Sequence, residues 1–160
     1  MDVEVIEADL SNPDHARGLV EILDSYARDA MGGARPLPPA VRERLVPELA
    51  ARPNAVVLLA FARGGPIGAA VCFVGFSTFA ARPLLNVHDL AVLPQFRGLG
   101  IGRAILEAAE ARARQLGCCK LTLEVREDNE PARSLYESFG FGDFAPGADP
   151  TPTLFLEKRL

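Results

Sequence analysis

Between Gln95 and Arg103 the chain reads QFRGLGIGR, with three glycines in five residues and an arginine on each side of them. Glycine lets backbone approach an anion with no Cβ in the way. Backbone N–H groups freed at the start of a following helix, together with the helix dipole, form an anion site. Arg97 and Arg103 can add charge-assisted hydrogen bonds to it. The chemistry indicated is the holding of a phosphate-bearing molecule. Three loop patterns compete. The GxxxxGK[ST] loop of nucleoside triphosphatases is absent. The dinucleotide pattern GxGxxG is half met by Gly98 and Gly100, but Arg103 stands where the third glycine belongs. The pattern RxxGxG is met by Arg97, Gly100 and Gly102. Against all three stands a plain glycine turn with two solvated arginines.

A loop of this kind works only if a strand delivers it and a helix receives it. NVHDLAVLP before it reads as a strand, and AILEAAEARARQLG after it as a helix. Upstream, VEVIEAD alternates as an opening strand. NPDHARGLVEILDSYARDA reads as a helix capped by Ser11 or Asn12, with Pro13 in its first turn. GGARPLPP breaks the chain, and PAVRERLVPELAAR gives a second helix, irregular around Pro47. NAVVLLAFA and PIGAAVCFVGFSTFA form a hairpin about the turn RGGP. Downstream come the strand CCKLTLEVRE, the short helix NEPARSLYESFG and two closing strands, FGDF and TPTLFLEKRL. The order β-α-α-β-β-β-α-β-α-β-β predicts one α/β domain over residues 1–160. The strands flanking the glycine loop and its helix are predicted to be parallel.

The segment LEVREDNEPARSLYESFGF, Leu123 to Phe141, changes the weight of the loop. With LAVLPQFRGLGIGR, LEVREDN and ARSLYESFGF at matching spacing, the chain resembles the GNAT superfamily of N-acetyltransferases over roughly residues 84–144. The earlier elements match in order alone. The resemblance implies a twisted mixed sheet of about seven strands with helices on both faces. It implies acetyl-CoA as co-substrate, its pyrophosphate on Arg97 and on the backbone of Gly98, Leu99, Gly100, Ile101, Gly102 and Arg103. The pantetheine would lie between two splayed parallel strands, against Leu90, Ala91 and Val92. Asn129 would bond the pantetheine arm, cap the next helix, or both.

Acetyl transfer to an amine requires removal of the amine's proton and stabilisation of the departing thiolate. Tyr136, one of two tyrosines, matches the family's general acid. A phenol with a pKa of about 10 is protonated at neutral pH. Glu124, in a strand resembling that of ribosomal-protein N-terminal acetyltransferases, matches a base acting directly or through water; otherwise it is a surface glutamate paired with Arg126 or Arg112. His88 and Asp89 resemble the acidic pair that diamine acetyltransferases carry before this strand's end, with His88 replacing the first acid. His88 is also an alternative base. Phe73, Phe76 and Phe79 divide between core and pocket wall, with Phe76 expected at the substrate. The family also implies a homodimer.

Composition narrows the partners. The net charge of −4, from 17 basic and 21 acidic side chains with no Lys/Arg run, argues against nucleic-acid binding. The longest apolar runs, about eight residues as in AVVLLAFA, are too short to cross a bilayer, so no membrane partner is expected. The acidic, alternating start MDVEVIEADL is unlike a signal peptide, and a cytoplasmic location follows as the expectation. Cys72, Cys118 and Cys119 form no CxxC pair, and His15 and His88 are the only imidazoles, so no metal site is expected. The expected activity is acetylation of a primary amine of a small molecule, such as a polyamine or an amino acid. The alternatives are a protein N-terminal or lysine acetyltransferase and a non-catalytic acetyl-CoA-binding regulator.

Overall fold

A computed structural model describes residues 2–62, 64–142 and 154–160. Five strands form one sheet in chain order: β1 (Glu4–Glu7), β2 (Ala55–Ala62), β3 (Gly65–Ser77), β4 (Arg82–Val92) and β5 (Leu121–Leu123). The first three junctions are antiparallel. The last, β4 to β5, is parallel, because the helix α3 (Ile101–Gln115) carries the chain back across the sheet. The parallel pair and the β2–β3 hairpin are as the sequence predicts.

Alternation along β2 explains the two layers. Val56, Leu58 and Ala60 point to the face covered by Ile101, Ile105 and Ala109 of α3. Val57 and Leu59 point to the other, covered by Leu19, Ile22 and Leu23 of α1 (Pro13–Arg28) and by Leu49 of α2 (Pro39–Ala50). Strands buried on both faces read as unbroken apolar runs, which is why AVVLLAFA carries no polar face. Asn12 caps α1, its side chain accepting from the Asp14 N–H at 2.9 Å, with Pro13 in the first turn.

The roof formed by α1 and α2 is tied down by one buried acid. Asp24 accepts from the Leu37 N–H (2.8 Å) and Arg28 Nε (2.9 Å) and forms an ion pair with Arg42 Nη1 (2.8 Å). These bonds fasten the 33–38 loop and α2 to α1. The Arg28 guanidinium, above all, holds this carboxyl below the ordinary range. Its stabilising contribution is therefore present at neutral pH and is lost as pH falls through the depressed value.

Three expectations change. The sheet has five strands among the described residues rather than about seven. Of the closing strands, 143–144 and 151–153 lie outside the described residues, while 154–160 are exposed and form no strand. The strand expected over residues 118–127 shrinks to Leu121–Leu123, the three residues that pair with β4. In addition, α2 runs unbroken through Pro47. Proline there removes one backbone hydrogen bond from the last turns, and the helix still runs on to Ala50.

Candidate active site at the splayed strands

Pairing between β4 and β5 covers Leu85–Leu121, Asn86–Thr122 and Val87–Leu123, and then stops. β4 continues five residues further, to Val92. The two strands therefore open into a cleft. Leu93 N–H donates to Ile67 O, on the β3 side. N–H directions alternate along a strand, so the backbone of Val92 and Leu90 faces the cleft instead. Arg97 Nε already reaches in from that side, donating to Val92 O at 3.0 Å.

A bulge decides which side chains meet at the cleft. Val71 pairs with Asp89, but Cys72 pairs with Val87, leaving His88 as the extra residue. Strict alternation would put His88 and Asp89 on opposite faces; the bulge brings both to the α1/α2 side. There they line a cavity of about 470 Å³ together with Val71 and Phe73 of β3 and residues of α2. Phe73 meets the His88 ring edge-on at 5.6 Å. Burial pushes the Asp89 carboxyl above its ordinary value, only partly offset by His88.

At the head of the cleft, Gly98 (φ +75°) and Gly100 (φ +82°) take left-handed backbone, and Gly100 caps α3. Among the described residues no side chain bonds the first N–H groups of α3, unlike those of α1 and α4 (Glu130–Phe139), which Asn12 and Asn129 cap. A Cβ at Gly98 or Gly100 would meet nothing within 4 Å, so the loop is open to solvent or a ligand. Gly102 differs: a Cβ there would come within 2.9 Å of Leu135 Cδ2, because α3 and α4 pack closely at that point. Gly100→Ala is expected to lower unfolding free energy by about 1–2 kcal/mol through its backbone conformation. Gly102→Ala is expected to be close to neutral, since only a flexible side-chain end must move. Chemical denaturation of both variants checks this ordering.

The two arginines of the loop are both held by the protein. Arg97 pairs with Asp29 at 2.8 Å, joining the loop to the end of α1. Arg103 donates to Ser138 O (3.2 Å) and Oγ (3.0 Å) and lies 5.6 Å over the Phe139 ring. They position the loop and α4 while leaving positive charge beside the uncapped helix start.

Tyr136, on α4, is half-buried and meets Phe141 edge-on at 5.8 Å. Burial, helped by nearby Tyr26, pushes its phenol up to about 12, so it stays protonated at neutral pH. Tyr26 was not foreseen as a site residue. It lies on α1 among the charges of Asp89, Asp29, Arg126 and Arg97, and burial, then Asp89, raises its phenol. Its signal in the sequence was faint: one tyrosine on the inner face of a helix. Glu124 stands one residue past Leu123, exposed. Neither arginine offered as its surface partner takes it, since Arg126 bonds Asp128 (2.8 Å) and Arg112 forms an ion pair with Glu7 (2.8 Å). Asn129 is already engaged, accepting from the Ala132 N–H at 3.3 Å as the cap of α4.

Phe76 is brought to none of this. It pairs with Pro83 far along the β3–β4 hairpin, is 63% exposed, and lies about 17 Å from Val71 along the strand. Phe73 lines the cavity in its place. Cys72 is buried and its thiol is pushed up to about 12 by burial, which suits the expected apolar filling.

Residues 19–141 match the model of the family described as Acetyltransferase (GNAT) family. Among relatives, the chain is 37% identical over 88 residues to an uncharacterized N-acetyltransferase, YhfO, of Bacillus subtilis (strain 168), covering 55% of this chain and 59% of that protein. It is 40% identical over 72 residues to an N-alpha-acetyltransferase of Sulfurisphaera tokodaii, covering 42% of this chain and 43% of that protein. The match thus spans less than two thirds of these relatives' length. Among solved structures, AAC(6')-Iy in complex with the bisubstrate analog CoA-S-monomethyl-acetylneamine superposes with a TM-score of 0.76 at 16% identity, covering 100% of both chains. At that identity the likeness is one of fold.

Proposed function

This chain belongs to the GNAT family of acetyltransferases, and we propose that it transfers the acetyl group of acetyl-CoA to a primary amine of a small molecule. The observation that carries the reading is the juxtaposition at the splay. An uncapped, glycine-opened helix start stands at one end of the cleft, and a cavity with a half-buried acid, Asp89, opens beside it. The residues present fit the co-substrate. Backbone N–H groups of residues 98–103 suit a pyrophosphate, and the cleft-facing backbone of Leu90 and Val92, with Ala91 between them, suits an amide-bearing arm.

Acetyl-CoA supplies an acyl group activated as a thioester. The protein does the rest. Asp89 and His88 hold the acceptor's ammonium at the cavity end of the cleft. Glu124, which shares a face with Thr122 if the alternation of β5 continues, takes the amine's proton directly or through water. Tyr136 Oη keeps a proton ready for the departing sulfur. Asn129 orients α4, and with it Tyr136. A homodimer belongs to this reading on the family resemblance alone, and a cytoplasmic setting is proposed with it; among the described residues no helix is long and apolar enough to cross a membrane.

The test is thiol release from acetyl-CoA with a broad amine panel, alongside calorimetric titration of acetyl-CoA. Release with at least one small amine supports the reading. Tight acetyl-CoA binding with no release for any amine would leave a non-catalytic binding module in its place. Likeness to an N-alpha-acetyltransferase favours a second reading, the N-terminal amine of a protein, and peptides with free N-termini separate the two. Glu124→Gln is expected to lower kcat/KM about 10²-fold across the pH–rate profile. An unaltered profile would assign the proton to His88 or water.

A further inference from the structure

The wall that α2 presents to the cavity consists of two parallel rows. Val41, Leu45 and Leu49 form one, spaced four residues apart, and with Leu23, Val71 and Phe73 they give the cavity an apolar body. Arg44 and Glu48, one helical position away, begin the other, and Arg52, two residues past the end of α2, continues it. Arg44 Nη2 lies 3.5 Å from Glu48 Oε1, and Arg52 Nη1 lies 3.3 Å from Glu48 Oε2. Two guanidiniums thus share a single carboxylate, and the row keeps one positive charge in excess. The same cavity is lined on the sheet side by Asp89 and His88 of β4. The cavity lining is therefore electrically lopsided: an acid on β4, an apolar body, and a net positive charge on α2 together with the residues just past its end.

We infer that the acceptor is an amine that also carries an anionic group, a carboxylate on an apolar body as in an apolar amino acid or short peptide, with the amine toward Asp89 and the carboxylate toward Arg44 and Arg52. The inference rests on the reading that this cavity holds the acceptor. Guanidinium matches carboxylate in geometry as well as charge, and each such bond is stronger than a neutral one. A polycation such as spermidine or an aminoglycoside would instead set a second ammonium against the arginine row. Like-charge juxtaposition of this kind acts against the wrong partner.

The experiment compares, within each enzyme, kcat/KM for leucine and leucylglycine with kcat/KM for their C-terminal amides and for spermidine. A ratio taken within one enzyme is independent of how much of a preparation is folded. The wild type is expected to favour the free acids over the amides by about tenfold or more, and spermidine to be the poorest acceptor. In the double variant Arg44→Gln, Arg52→Gln the acid-to-amide ratio is expected to fall toward one. In Arg44→Glu, Arg52→Glu it is expected to invert. Amides or spermidine accepted as well as the acids by the wild type, or a ratio the substitutions do not move, would make the row a solvated salt-bridge ladder and overturn the inference while leaving the transferase reading intact. Acetyl-CoA binding without acetylation of any amine would overturn both.

Discussion

Replacing Tyr136 with phenylalanine is expected to lower kcat by about 10²–10³-fold while acetyl-CoA affinity stays within about threefold. The substitution removes one oxygen and keeps the ring that meets Phe141 at 5.8 Å, so α4 should remain in place. The size of the effect follows from what the oxygen offers. Burial holds the phenol at about 12, well above its ordinary value, so at neutral pH it is a donor and not a phenolate. A thiolate leaving without a donor in a partly desolvated cleft must carry its charge unaided. Two consequences follow for pH. No alkaline loss of kcat below about pH 10 should be assignable to Tyr136 ionising in the folded protein. Because the folded-state value lies above the unfolded one, the phenol's contribution to stability is complete below about pH 10 and is lost as pH rises toward 12. Tyr136→Phe should therefore be less sensitive to strong alkali than the parent. Unchanged kcat under saturating substrates would remove Tyr136 from the proton transfer.

Asp89→Asn is expected to raise the melting temperature at neutral pH and to lower kcat/KM for the amine by about 10- to 100-fold. These opposite effects have one cause. Burial raises the folded-state value of the Asp89 carboxyl above its ordinary range. A carboxyl shifted in this direction destabilises the fold once it is ionised. Its stabilising contribution is complete below the unfolded value and disappears as pH rises through the raised one. Once Asp89 ionises, the folded protein carries a charge it holds at a disadvantage, which asparagine removes. An acid retained against stability is characteristic of a group kept for what it binds. A charge-assisted hydrogen bond to an ammonium is worth about 1.5–3 kcal/mol, which sets the size of the catalytic loss. Thermal melts at pH 5 and pH 8 give a direct check. The stability gain should be larger at pH 8, and a gain that shrinks between pH 5 and pH 8 would contradict the assignment.

What the sequence by itself determined is what depends on neighbours in the chain. The glycines of QFRGLGIGR leave the backbone open before a helix, because they carry no Cβ, and two of the three, Gly98 and Gly100, also take left-handed backbone. Asn12 and Asn129 had to cap the helices that follow them, because a short carbonyl side chain two or three residues upstream reaches their free N–H groups; both do. The parallel β4–α3–β5 unit followed from the length of the crossover, and the family from motifs whose spacing a local reading can measure.

What only the tertiary structure decided depends on partners distant in the chain. His88 and Asp89 share a face because β3 pairs across a bulge, and no pattern within β4 announces which residue will be extra. LEVRE reads as strand throughout, yet it stops pairing at Leu123, because β4 turns away from it to form the cleft. Arg97 and Arg103 looked like free cations, but Asp29 lies 68 residues from one and Ser138 35 from the other, separations at which sequence carries no signal of contact. Phe76 and Phe73 were indistinguishable as aromatic residues of one strand. The register of the sheet put Phe73 beside His88 and left Phe76 in solvent. The chemistry was written into residue types; the fold determined which of them share one cavity, because strand register and helix docking are set by contacts across the sheet.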